Sequence, residues 1–222
     1  MPKLCPKIIL EGTRLTHKTD LAFALNEHPR VVGERKYRYH SPVVSGEWCG
    51  FTNTPWGRGV INFDPAELER AIATYGAWVS LIELLPYYSW IIDRFHVSTL
   101  AWQRRHGTLD GAQMDRLVRS LSDIETRLVR LGFRVVVCVR DPASFGAARA
   151  ARLKVSGNPR QYDDLGVFVE EQELVREIAG KSRLATLELD VSDGDVHAAA
   201  DRVADWLAAT GGLYAPELEP GG

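Results

Sequence analysis

Along the chain, short apolar runs alternate with longer stretches in which apolar residues recur every three or four positions. "KIILE" (7–11) predicts a strand, and "KTDLAFAL" (18–25) a helix that starts where a loop ends. "RVVG" (30–33) predicts a second short strand. From 34 to 63 no period is visible, and Gly, Pro, Ser, Trp and Tyr dominate, as in long functional loops. In "DPAELERAIATYGAWVSLIELL" (64–85), Asp64 suits an N-cap, Pro65 the first turn and Glu67 a capping box, and Pro86 stops the helix. "YYSWIIDRF" (87–95) predicts a buried strand ending at Asp93, with a helix near "STLAWQRR" (98–105). Met114, Leu117, Leu121, Ile124, Leu128 and Leu131 form one helical stripe, closed by Gly132. "FRVVVCVRD" (133–141) and "RLATLELDV" (183–191) predict the fourth and fifth strands. Helices are predicted within 142–157, over 164–180 and over 194–210.

This alternation predicts an α/β architecture with parallel strands, right-handed crossovers and helices on both faces. Ligands in such sheets sit at the carboxyl ends of the strands, which puts Gly12 and Asp93 on one rim. We expect a single domain over residues 1–212 and a loose tail over 213–222. The length, 222 residues with 45% hydrophobic and 25% charged, supports one sizeable core. A net charge of −2 gives no global basic field, which argues against a nucleic acid polymer or an anionic membrane as partner. No apolar run is long enough to span a membrane and no signal-peptide pattern opens the chain, so a cytoplasmic location is expected. Cys5, Cys49 and Cys138 are odd in number and form no C-x-x-C pair, which speaks against a disulfide framework and a zinc site.

The candidate chemistry begins at "EGTRLTHKTD" (11–20). Gly12-x-x-x-x-His17-Lys18-Thr19 differs in one letter from the phosphate loop G-x-x-x-x-G-K-[ST], and it has the strand before and helix after that such a loop needs. Backbone amides of Thr13, Arg14, Leu15, Thr16, His17, Lys18 and Thr19 can wrap a phosphate at the positive end of the new helix. Lys18 then reaches the β- and γ-phosphates, and the Thr19 hydroxyl ligates Mg²⁺. The missing glycine requires His17 to keep ordinary backbone angles with its side chain turned outward. A chance strand-turn-helix with a lysine is the bland alternative. Asp93, ending a buried strand downstream, suits a Mg²⁺ ligand or a base, and Arg94 an anion grip; a plain salt bridge fits the pair equally. Arg149 and Arg152, three apart, share a helix face, either as a charge-neutralising lid over 143–162 or as a solvated basic surface. In the 34–63 segment, Tyr37, Tyr39, Trp48 and Trp56 either stack on a planar substrate ring or pin the loop to the core.

Taken together, "IILEG" with its lysine loop, "DRFHVSTLAWQ" (93–103), the arginine segment after "VVVCVRDP" and "LELDVSDGDVHAAADRVADWL" resemble thymidylate kinase and its deoxynucleoside kinase relatives among the P-loop kinases. The resemblance spans roughly residues 7 to 210, and its most specific element is the D-R-[YF]-x-x-S-x-x-A-[YW]-Q run. It implies a three-layer fold with a five-stranded parallel sheet of order 2-3-1-4-5, ATP as donor and Mg²⁺ as cofactor. It assigns Lys18 and Thr19 to donor phosphates and metal, Asp93 and Arg94 to the catalytic centre, and Arg149 and Arg152 to the lid. It places Glu34, following the predicted second strand, where deoxynucleoside kinases have the carboxylate that takes the acceptor proton. The sequence departs at His17 and in "GERKYRYHSP", which stands where thymidylate kinases carry Arg-Glu-Pro. The divergent 34–63 insert lies on the acceptor side, so the implied acceptor is a small molecule, nucleoside-like, nucleotide-like or a specialised metabolite. A nucleotide-binding module with a decayed loop is the rival function, and a homodimer stays open.

Overall fold

The computed structural model describes residues 6–32, 43–52, 57–86, 88–155 and 164–212. Five parallel strands form one sheet of order β2-β3-β1-β4-β5: β1 (Lys7–Glu11), β2 (Val43–Ser45), β3 (Trp90–Asp93), β4 (Arg134–Val139) and β5 (Ala185–Asp190). The helices are α1 (Lys18–Glu27), α2 (Pro29–Val32), α3 (Leu68–Leu84), α4 (His96–His106), α5 (Gly111–Arg130), α6 (Phe145–Leu153), α7 (Leu165–Ala179) and α8 (Val196–Ala209).

The inner strands are apolar on both sides because both faces of the sheet are covered. Ile9, Ile92, Val135 and Val137 point into a core shared with α3, α4, α5 and α7. Ile8, Leu10, Ile91, Val136 and Cys138 point the other way, against α1 and α8. Cys138 is therefore the small buried hydrophobe its apolar surroundings predict, and burial pushes its thiol up to about 12. The stripe on α5 is buried at Leu117, Leu121, Ile124 and Leu128. Asp110 caps that helix, and Gly132 follows it in the left-handed region at φ 77°. No described helix is long and apolar enough to cross a membrane.

One element needs correction. Residues 30–32 of the "RVVG" stretch (30–33) predicted as the second strand belong instead to the short helix α2, residue 33 lies outside the described residues, and the strand that pairs with β3 is Val43–Ser45. Two adjacent valines are compatible with a helical turn or a strand, and a four-residue window carries no period that separates the two. The correction moves the end of the second strand by more than ten residues, to Ser45, and with it the place where a catalytic carboxylate is to be sought.

Candidate active site

The carboxyl ends of β1 and β3 lie side by side, with Leu10 in register with Asp93 and the Arg94 amide donating to the Leu10 carbonyl at 2.9 Å. The chain leaves β1 at Gly12 with φ 142°, so close to β4 that a Cβ there would stand 2.5 Å from the Cys138 carbonyl oxygen. Only glycine fits this exit. Beyond it, Leu15 (φ 65°) and His17 (φ 52°, ψ 20°) are both left-handed. Left-handed residues set among right-handed ones turn successive amides toward one side, the geometry of an anion nest, and α1 adds its N-terminal dipole.

The expectation that His17 keeps ordinary angles is thus overturned: histidine occupies the conformation that the motif's glycine would take. Its Nδ1 lies 3.2 Å from Asp20 Oδ2, a local partner that helps hold the ring. Histidine is among the side chains that enter this region more readily than most.

Lys18 is buried and reaches back across the loop, its Nζ donating to the Thr13 carbonyl at 2.6 Å and to Thr16 Oγ1 at 3.3 Å. Burial pulls its pKa down, and nearby Arg94 pulls the same way. Thr19 Oγ1 donates to Asp93 Oδ2 at 2.6 Å. The second Asp93 oxygen, Oδ1, is buried with no hydrogen-bond partner among the described residues. Burial pushes the Asp93 carboxyl above its ordinary value, against the pull of Lys18 and the Thr19 hydroxyl. An orphaned buried carboxylate oxygen next to a threonine hydroxyl fits a hard, oxygen-seeking cation such as Mg²⁺. Among the described residues no cluster of three His, Cys, Asp or Glu side chains suits a metal held by protein alone, and Mg²⁺ commonly relies on one carboxylate plus water and phosphate.

Glu47, not singled out in the sequence, faces this centre. Gly46 crosses the end of β3 so tightly that a Cβ would come 2.3 Å from the Arg94 carbonyl, and its amide donates to the Asp93 carbonyl at 2.9 Å. The next residue is thereby held over the loop, where Glu47 Oε1 lies 3.7 Å from Arg14 Nη2 and Oε2 lies 4.0 Å from Arg94 Nη1. Burial opposes its charge, yet Arg94, Lys18, Arg14 and Arg152 together hold the Glu47 carboxyl below its ordinary value. Glu34, expected in this role, lies outside the described residues, as do Tyr37, Tyr39 and Trp56.

Arg94 is itself left-handed (φ 62°) and buried. Its Nε donates to Ser98 Oγ at 3.1 Å and its Nη2 to Glu171 Oε1 at 2.8 Å. Burial opposes its charge, but Glu171, Glu47, Glu11 and Asp93 hold its pKa above the ordinary value. Glu11, the last residue of β1, accepts from the Phe95, Val97 and Ser98 amides and from the Ser98 hydroxyl, tying the start of α4 to the loop.

A cavity of about 410 Å³ opens beside the loop, and Gly12, Thr13, Asp93 and Arg94 are not among its lining residues. Residues 14–20 form one wall; Glu47, Trp48 and the α6 side, with Ala148, Ala151, Arg152 and Val155, form the other. The structure thus brings together Arg14 through Thr19, Trp48 and Arg152 around one space. Arg149 lies on the same helix but is not part of that lining.

Neither protein-family models nor curated proteins match the sequence. Solved structures do. The YorR protein of Bacillus subtilis, in complex with phosphorylated GDP, superposes with a TM-score of 0.57 at 18% identity, over 94% of this chain and 99% of that one. Deoxyadenosine kinase from M. mycoides with bound dATP gives 0.53 at 10% identity, over 91% and 99%. The chain has the P-loop kinase fold. Within that fold the left-handed loop, Lys18 and Asp93 share one end of the sheet, on the rim where parallel sheets bind ligands.

Proposed function

We propose that this protein transfers the γ-phosphoryl group of ATP–Mg²⁺ to a hydroxyl of a small, ring-bearing acceptor. The observation that carries this reading is the Glu47 carboxylate, held ionised by Arg94, Lys18, Arg14 and Arg152 on the wall opposite the phosphate loop. A carboxylate there suits an alcohol whose proton it can take. Both solved relatives are described with nucleotides bound, which favours a nucleoside-like acceptor or donor chemistry here.

The residues divide the work as follows. Loop amides and Lys18 hold the donor's phosphates and neutralise charge that builds on the transferring group. Thr19 and Asp93 would hold Mg²⁺, which when bound neutralises the β- and γ-oxygens. Glu47 takes the proton of the acceptor hydroxyl as its oxygen forms the new P–O bond and ADP departs. Arg152, on the cavity wall, adds charge stabilisation from α6. Trp48, 61% exposed at the cavity, offers an indole face for a planar acceptor ring.

Incubation with ATP, Mg²⁺ and a panel of nucleosides and ring-bearing alcohols, followed by mass spectrometry, tests the proposal: one acceptor should gain one phosphate. Lys18→Ala should lower that rate by ~10²-fold or more. Equal turnover by the parent and Lys18→Ala would refute the assignment.

A further inference from the structure

The phosphate loop is held from beneath by a residue that is not part of the cavity lining. Arg140 follows β4 and is 3% exposed. Gln172 on α7 brackets its backbone, accepting from the Arg140 amide at 2.8 Å and donating to its carbonyl at 2.9 Å, so the residue has no freedom to slide. Its Nε donates to the Leu15 carbonyl at 2.9 Å, and Nη1 to the Ser192 carbonyl at 3.1 Å and Ser144 Oγ at 3.4 Å. Its Nη2 is buried without a hydrogen-bond partner among the described residues. Burial pulls its pKa down, only partly offset by Asp190 and Asp193. A buried cation with a donor left over is a poor space-filler, because an apolar chain of the same length would avoid the desolvation cost.

Leu15 supplies the reason for a guanidinium. It is left-handed, and its carbonyl belongs to no strand ladder or helix, so regular backbone bonding does not set the plane of the Leu15–Thr16 peptide. In a trans peptide the carbonyl and the following amide point in opposite directions. A carbonyl drawn back toward Arg140 therefore sends the Thr16 N–H away from it, toward the side where Leu15 and Thr16 line the cavity.

We propose that Arg140 is a positioning residue of the phosphate loop, fixing the Leu15–Thr16 peptide plane so that the Thr16 amide faces bound phosphate. The inference rests on the reading of the cavity as a phosphoryl-donor site. The fork matters as well as the charge, because it bonds Leu15 and Ser192 at once; a lysine ammonium on a single stem serves such a pair poorly.

Crystal structures of Arg140→Met and Arg140→Lys test the geometry without any ligand. The Leu15 carbonyl should leave its present direction in the Met variant, and an unchanged peptide plane would overturn the proposal; if that variant does not fold, the Lys structure decides by the same criterion. Titration calorimetry with Mg-ATP adds a second arm. Affinity should fall by ~10-fold or more in Arg140→Met, and in Arg140→Ala guanidinium ion at non-denaturing concentration should restore part of the loss. Parental affinity in the folded variants, or loss with no rescue by guanidinium, would count against Arg140. Failure of the parent protein to bind Mg-ATP would strike the phosphotransfer reading instead, while the peptide-plane comparison still decides the role of Arg140.

Discussion

Replacing His17 measures how the loop tolerates a side chain where the phosphate-loop motif has glycine. A left-handed residue with a Cβ costs about 1–2 kcal/mol, and His17→Gly removes that strain at φ 52°. The same change forfeits the partly exposed His17–Asp20 pair, worth about 0.2–1 kcal/mol. It also frees the unfolded chain, which costs about 0.5–1 kcal/mol. Gain and loss nearly cancel, so His17→Gly should leave stability within ~1 kcal/mol of the parent, a shift of ~2–4 °C at most for a chain of this size. His17→Ala keeps the strain and loses the pair, and should fall below both. His17→Val should fall lowest, because a β-branched side chain is a true outlier in this region. Thermal and chemical denaturation of the series, with Mg-ATP affinity measured on each, reads the order Gly and His above Ala above Val. A valine variant as stable as the parent would mean that residue 17 is not left-handed, and the nest built on it would fall.

Two further outcomes follow from the same geometry. Glu47→Gln keeps the shape and removes the proposed base, so kcat should drop by ~10²–10⁴-fold while Mg-ATP affinity stays the same or rises with the loss of a negative charge beside Lys18 and Arg94; turnover close to the parent's would remove Glu47 from the chemistry. At Glu125, burial opposes ionisation, but the His96 ring 3.4 Å away, with hydrogen bonds from Ser182 and Arg183, holds the carboxyl at about 2 against an ordinary 4.5. The folded pKa is depressed, so its stabilisation is complete above pH 4.5 and is lost as pH falls toward 2. Glu125→Gln should therefore lose on the order of 2 kcal/mol at neutral pH and converge with the parent at the acid end; a constant gap across that range would contradict the assignment.

The order of elements was legible because each strand of the sheet's interior is a continuous apolar run and some long helices carry local end signals. Pro65 and Glu67 after Asp64, and Gly132 after Leu131, mark helix ends by local chemistry that needs no tertiary partner. That Lys18, Thr19 and Asp93 come to one rim of the sheet was legible for a related reason: two follow an apolar strand within a fixed motif, and the third ends one. Glu47 was not. The strand that precedes it is three residues long, too short for a period, and the glycine before it reads as loop until Arg94 stands against it. Arg140 was equally hidden, since a charge at the end of an apolar run looks like a solvated boundary.

The sequence alone determined the alternation of strands and helices and the place of the lysine loop, because these rest on spacing, capping and backbone preference within a few residues. Tertiary structure alone decided which short segment completes the sheet, that histidine stands in a glycine's conformation, and which carboxylate faces Lys18. Those outcomes depend on contacts between residues far apart in the chain, where the Arg94 carbonyl presses on Gly46 and Arg140 reaches Leu15.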